Sequence, residues 1–141
     1  MCLEHLDLDK TKKLKKSNGK IIGYKILHPN DHSIFQPYVW KKGLNVSDRK
    51  STSINKKMKC IGKGFHFFAD EPESCTISNN NDFCRNSCSH RYEFQCTNEN
   101  PINKVVKFEI DPKDIVAVGT WNYTTRKSSF VAIKATWIEE V

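Results

Sequence analysis

The 141-residue chain has no apolar run approaching the ~20 residues a membrane-crossing helix needs, so no membrane partner is expected. It also lacks a G-x-x-x-x-G-K-[ST] phosphate loop, a G-x-S-x-G nucleophile elbow, an H-E-x-x-H zinc helix and a G-x-G-x-x-G dinucleotide turn. Those absences remove the commonest NTPase, hydrolase, metalloprotease and Rossmann readings. Gly62-Lys63-Gly64 is only a fragment of a phosphate loop and reads better as a tight turn. No internal repeat is visible. The opening residues "MCLEHLDLDKTKKLKKSNGK" place lysines after an interrupted apolar stretch, the wrong order for a secretory signal, and an intracellular protein is expected.

Acidic charge is scarce in the first half. Met1 to Lys63 carries fifteen Lys/Arg against five Asp/Glu, +10, whereas Gly64 to Val141 carries eight against eleven, −3. A basic half meets phosphate, on nucleic acid or on a nucleotide, because counterion release rewards such contacts. The alternative is a set of solvated lysines that keep a small protein soluble. In the middle segment, Lys41, Lys42, Asn45, Ser47, Arg49, Lys50, Ser51 and Thr52 have the polarity of an anion site. Arg49 is its strongest member, since a planar guanidinium grips phosphate through two hydrogen bonds.

Residues 1–20 read as a basic N-terminal arm closed by the turn signal Ser17-Asn18-Gly19, and 21–141 as a single domain. "KIIGYKIL" alternates as a strand, "SIFQPYVWKKGLNVS" reads as an irregular connection ending in a short strand, and "GFHFFAD" reads as a further strand. Asp70 then suits a helix N-cap, with Pro72 in the first turn and Glu73 at capping-box spacing. The Cys/Asn-rich stretch 76–103 reads as a long loop. "KVVKFEI", "IVAVGTW" and "SFVAIKATWIEE" predict three strands separated by turns. The expected class is α+β, a mainly antiparallel sheet with one or two short helices.

Within "GFHFFAD", alternation sends Phe65 and Phe67 to one face and His66 and Phe68 to the other. A histidine beside a phenylalanine suits a planar base, because imidazole both donates and accepts hydrogen bonds; the plainer alternative is a core histidine held by one backbone partner. Six cysteines without a secretory signal favour a reduced state. Cys84, Cys88, His90 and Cys96 carry the donor types of a zinc site, though not in paired two-residue knuckles, so zinc, a disulfide and free thiols all stay open. Cys2 lacks a general base identifiable by spacing, and packing of a small apolar side chain is its simpler role.

Two resemblances add to this reading. "GYKIL", "KKGLN", "GKGFHFFADEPESC", "NKVVKFEIDPKDIVAVGTW" and "FVAIKATWIEE" follow the order found in small phage-type proteins with a Met-Cys-Leu start and a Gly-Phe-His motif. That module is similar to the Gly-Leu-His module of rIIB-like phage proteins. More distantly, Gly62 to Asp70 resembles the second conserved strand of ADP-ribosyltransferase-like domains. The transferase resemblance implies a nucleotide of the NAD or ADP-ribose type, with Tyr24 or Lys25 near the ribose position and His66 or Phe67 near the nicotinamide position. Glu139 or Glu140 would then be the late catalytic acid. His66 stands where that family has tyrosine, and Tyr24-Lys25 replaces its His or Arg. The expectation is therefore a virus- or phage-encoded accessory protein that binds a nucleotide-type ligand without catalysis, through Tyr24, Lys25, Arg49, His66 and Phe68. An active transferase and a nucleic-acid or protein-interaction module using the lysine arm are the alternatives.

Overall fold

The computed structural model describes residues 14, 16–33, 38–48, 64–72, 103–121 and 127–141. Their strands are β1 (Lys16–Ser17), β2 (Lys20–Leu27), β3 (Gly43–Val46), β4 (Phe65–Phe68), β5 (Lys104–Ile110), β6 (Ile115–Trp121), β7 (Lys127–Ala132) and β8 (Lys134–Glu140). They form one sheet of order β3-β8-β5-β2-β4-β7-β6, with β1 added to β2, and every pair is antiparallel. Among the described residues the only helical element is a single 3-10 turn, Pro112–Asp114, so the expected sheet dominates. The body of the helix expected after Asp70 lies outside the described residues, as does the expected loop 76–103 except for Asn103.

Local chemistry accounts for the strand boundaries. Asn18 and Gly19 both have positive φ, 53° and 77°, the pairing a tight two-residue hairpin requires, and they join β1 to β2. The last residues of the expected basic arm thus belong to the sheet. Asp111 ends β5 by accepting the backbone N–H of Lys113 on its side chain, and Pro112 starts the 3-10 turn that leads into β6.

The C-terminal run differs from expectation: it makes two strands, β7 and β8, which part at Ile133. Phe130 and Ala132 face the core, but so do Ala135 and Trp137, so the inward phase slips by one residue across Ile133. The backbone of Ile133 is used twice outside the ladders, donating to the Asp114 carbonyl and accepting from Ser47 N–H. This turns the chain from the β6–β7 edge to the β5–β8 side.

One sheet face holds an aromatic core built from Trp40, Phe65, Phe67, Phe108, Phe130 and Trp137, with Ile21, Leu27, Val106 and Ile110 around it. Burying each large apolar side chain contributes roughly 1.5–3 kcal/mol. Trp40 lies at the centre, 4.3 Å from Phe65 and 4.8 Å from Phe108 between ring centroids, and its indole N–H donates to Ser33 Oγ. Gly23 sits where β2 passes beneath this cluster: a Cβ there would lie 2.7 Å from Phe130 Cζ and 3.0 Å from Phe67 Cβ. Only glycine allows that approach.

The β2–β4 contact is the narrowest in the sheet. It has one register pair, Tyr24 with Phe68, whereas β2–β5 has seven.

Candidate functional site

Register decides which side chains meet around β2 and β4. Tyr24 lies opposite Phe68 on β4 and opposite Lys107 on β5; Phe68 in turn lies opposite Ser129 on β7, and Lys107 opposite Glu139 on β8. Directly paired residues point to the same face, so Ser129, Phe68, Tyr24, Lys107 and Glu139 form one row across five adjacent strands. His66, two residues from Phe68, shares that face, opposite Val131. Exposure grades along the row. Phe68 is 6% exposed and His66 3%, Tyr24 is half-buried, and the side chains of Lys107 and Glu139 are 32% and 62% exposed.

The expected alternation in β4 holds: Phe65 and Phe67 face the aromatic core, His66 and Phe68 the opposite side. All four residues are nonetheless buried. The accessible end of the row is therefore Tyr24–Lys107–Glu139, where the Lys107 ammonium lies 4.0 Å from the Glu139 carboxylate. An extra residue, Ile138, bulges β8 between its pairings with Phe108 and Lys107 and brings Glu139 onto this row. Glu140 pairs with Val106 in the next register position and is exposed.

Lys25, adjacent to Tyr24, points to the opposite face. Its ammonium donates to the His66 carbonyl at 2.9 Å and stands over the rings of Trp40 and Phe67, 5.5 and 5.8 Å from their centroids. No carboxylate pairs with it among the described residues. Burial lowers its pKa from 10.5 to about 7. Tyr24, His66 and Phe68 are thus together on one face, while Lys25 lies behind them and touches the group through backbone only. Arg49, Cys84, Cys88, His90 and Cys96 lie outside the described residues, and among the described residues no three His, Cys, Asp or Glu side chains are grouped to hold a metal.

A cleft of about 220 Å³ opens beside the row, lined by Lys20, Glu109, Asp111, Lys113, Lys134 and Thr136 among others. It adjoins the Tyr24 row because Ile22, Glu109, Thr136 and Leu44 form the next row on the same face. Lys20 Nζ donates to Asp111 Oδ2 at 2.9 Å. That hydrogen bond and the attendant charge raise the lysine pKa; the same bond, with the Lys113 N–H, holds the Asp111 carboxyl below the usual range. With Asp114 included, three lysines face three carboxylates, so the cleft is charge-balanced. The run "DPKD" predicts the turn that the 3-10 element makes, but nothing local in it predicts the cleft. The local signal is the Asp-Pro cap; its partner Lys20, and Lys134 across the cleft, come from distant strands that only register brings near.

Among the anion-site candidates, Lys41 and Lys42 are exposed, but Asn45 turns inward and is buried. Its Oδ1 accepts from Tyr38 Oη and Lys41 N, and its Nδ2 donates to the Lys41 and Gly43 carbonyls. Its hydrogen-bonding capacity is spent within its own loop. No protein-family model, curated protein or solved structure matches the chain.

Proposed function

We propose that this chain is a non-catalytic binding module whose ligand is a nucleotide-type small molecule, held at the Tyr24 row. The carrying observation is the register that sets the half-buried Tyr24 ring between Phe68 and Lys107. A half-buried aromatic ring next to a cation, at the accessible end of such a row, is a stacking platform for a base, and such stacking contributes about 1–3 kcal/mol per base. Phe68 and His66 back the ring from their buried end. Lys20 and Lys134 of the neighbouring cleft lie two rows further along the strands, roughly 13 Å away, a span that a diphosphate or second ribose attached to that base bridges. Because the cleft is charge-balanced, it favours a ligand of low net charge over a polyphosphate.

The resemblance of Gly62 to Asp70 to ADP-ribosyltransferase-like domains supports an α+β fold of that kind and an NAD- or ADP-ribose-type ligand. The phage-type resemblance supports a virus-encoded accessory protein that sequesters a host signalling nucleotide inside the cell. Three features favour binding over transfer. His66 is buried, Lys25 faces the core, and Glu139 lies two strands from Tyr24, about 10 Å away, engaged with Lys107.

Thermal-shift and NMR titrations with NAD, ADP-ribose and cyclic nucleotides test the reading. At least one should raise the melting temperature at millimolar concentration, with Tyr24→Ala abolishing the shift and Lys107→Ala weakening it. The absence of any shift in the wild-type protein overturns it. Release of nicotinamide from NAD would instead support the transferase alternative through Glu139, and steeply salt-dependent binding to DNA or RNA, lost on deleting residues 1–20, the nucleic-acid alternative.

A further inference from the structure

β3 ends the strand order, and no described strand pairs with its other edge. Ser47 N–H donates to Ile133 O just past the pairing of Val46 with Lys134, so the odd-numbered residues of this segment direct their N–H and C=O toward β8. Leu44 and Val46 therefore direct theirs to the open side. Their side chains lie on the outer sheet face and are 54% and 50% exposed, because the buried, internally hydrogen-bonded Asn45 commits the intervening residue to the core. Edge strands are usually blunted by charge along their length. Here the charges stand only at the two ends, Lys42 before the strand and Asp48 after it, both exposed.

We propose that β3 is a homodimerisation edge, on which a second copy adds antiparallel about a two-fold axis through Asn45. This register sets Leu44 against Val46 of the second copy and lets the two exchange N–H···O bonds in both directions. The same register brings Lys42 opposite Asp48 of the second copy, twice by symmetry, so the strand is self-complementary in shape, hydrogen bonding and charge. The two neighbouring antiparallel registers do not pair these charges: with Leu44 against its own copy Lys42 faces Val46 and Asp48 faces Trp40, and with Val46 against its own copy Asp48 faces Leu44. Charge therefore selects the first. The inference does not depend on nucleotide binding, since its observations are those of β3 alone, although Leu44 also lines the cleft.

Sedimentation equilibrium of the full chain, from micromolar to submillimolar concentration, reads the dimer directly. The wild type is expected to dimerise. Val46→Pro removes an N–H that faces the open side and spares every β8 bond, and is expected to leave a monomer with unchanged circular dichroism. Lys42→Asp and Asp48→Lys each replace two attractive pairs with repulsive ones and should weaken the dimer about tenfold or more at low salt, whereas the double exchange should restore it. A monomer at every concentration, a dimer indifferent to Val46→Pro, or a double exchange no tighter than either single variant overturns the proposal. The charge variants lie on exposed positions outside the strand and keep the test decisive should the proline variant misfold.

Discussion

A lysine ammonium enclosed by Trp40 and Phe67, with one carbonyl as acceptor, holds its proton poorly. The cation–π contacts offset about 1–2 kcal/mol and the hydrogen bond to His66 O a similar amount, against a desolvation penalty of several kcal/mol. Burial wins, and the Lys25 pKa falls to about 7 from 10.5. The unfolded chain therefore binds this proton more tightly than the folded one. The neutral amine's contribution is fully present above pH 10.5, declines as pH falls toward 7, and is gone below it, where both states are protonated. Within that window stability should rise with pH by up to about 1.4 kcal/mol per unit. Urea denaturation at several pH values should show this rise, and Lys25→Met should flatten it. Tyr38, whose pKa burial raises, is present in both proteins and cancels in the comparison. Parallel profiles for wild type and variant would refute the assignment.

At the scale of elements, β3 depends on one side chain. Asn45 ties residues 38–43 to the strand through four hydrogen bonds, and Tyr38, which it holds, packs on Trp40 and Phe65 at 4.9 Å. Asn45→Ala leaves Tyr38 Oη and Lys41 N–H without this acceptor and two carbonyls without this donor. The expected cost is about 2–4 kcal/mol, since each unsatisfied buried group costs about 1–3. A denaturation midpoint corresponding to less than about 0.5 kcal/mol would show that water replaces the amide at no penalty. The same element explains why an asparagine beside two lysines, read from sequence as part of an anion site, is structural. Strand alternation points it inward, while Lys41 and Lys42 remain in solvent.

At the scale of the whole molecule, the described residues form a sheet of two blocks, β3-β8-β5-β2 and β4-β7-β6, whose ladders meet in a single register pair between β2 and β4. Side chains reinforce this seam. Phe67 of β4 stacks on Phe130 of β7 at 5.4 Å and meets Phe108 of β5 at 5.3 Å, and Lys25 of β2 reaches the His66 carbonyl of β4. Phe67→Ala should cost about 3–5 kcal/mol, the range for deleting a buried aromatic ring. Because the ladder across the seam is so short, the loss should be uneven: amide exchange should accelerate more in β6 and β7 than in β5 and β8. Uniform acceleration would mean that backbone pairing, not the aromatic cluster, couples the blocks.

What the sequence determined by itself was local. The runs "KIIGYKIL", "KVVKFEI" and "IVAVGTW" coincide with β2, β5 and β6, because side-chain alternation and bounding turn residues are properties of neighbours in the chain. The break at Ile133 was also present, as a one-residue slip between Phe130-x-Ala132 and Ala135-x-Trp137, but a continuous apolar run concealed it. Alternation likewise separated Tyr24 from Lys25 and His66 from Phe67. It could not say what lies across from each. Only the tertiary structure decided that Tyr24 stands between Phe68 and Lys107, that Glu139 joins that row through a bulge, and that Lys25 lies under Trp40. Those neighbours depend on register between strands far apart in sequence, which the packing of the whole aromatic core selects and a periodicity of two leaves open.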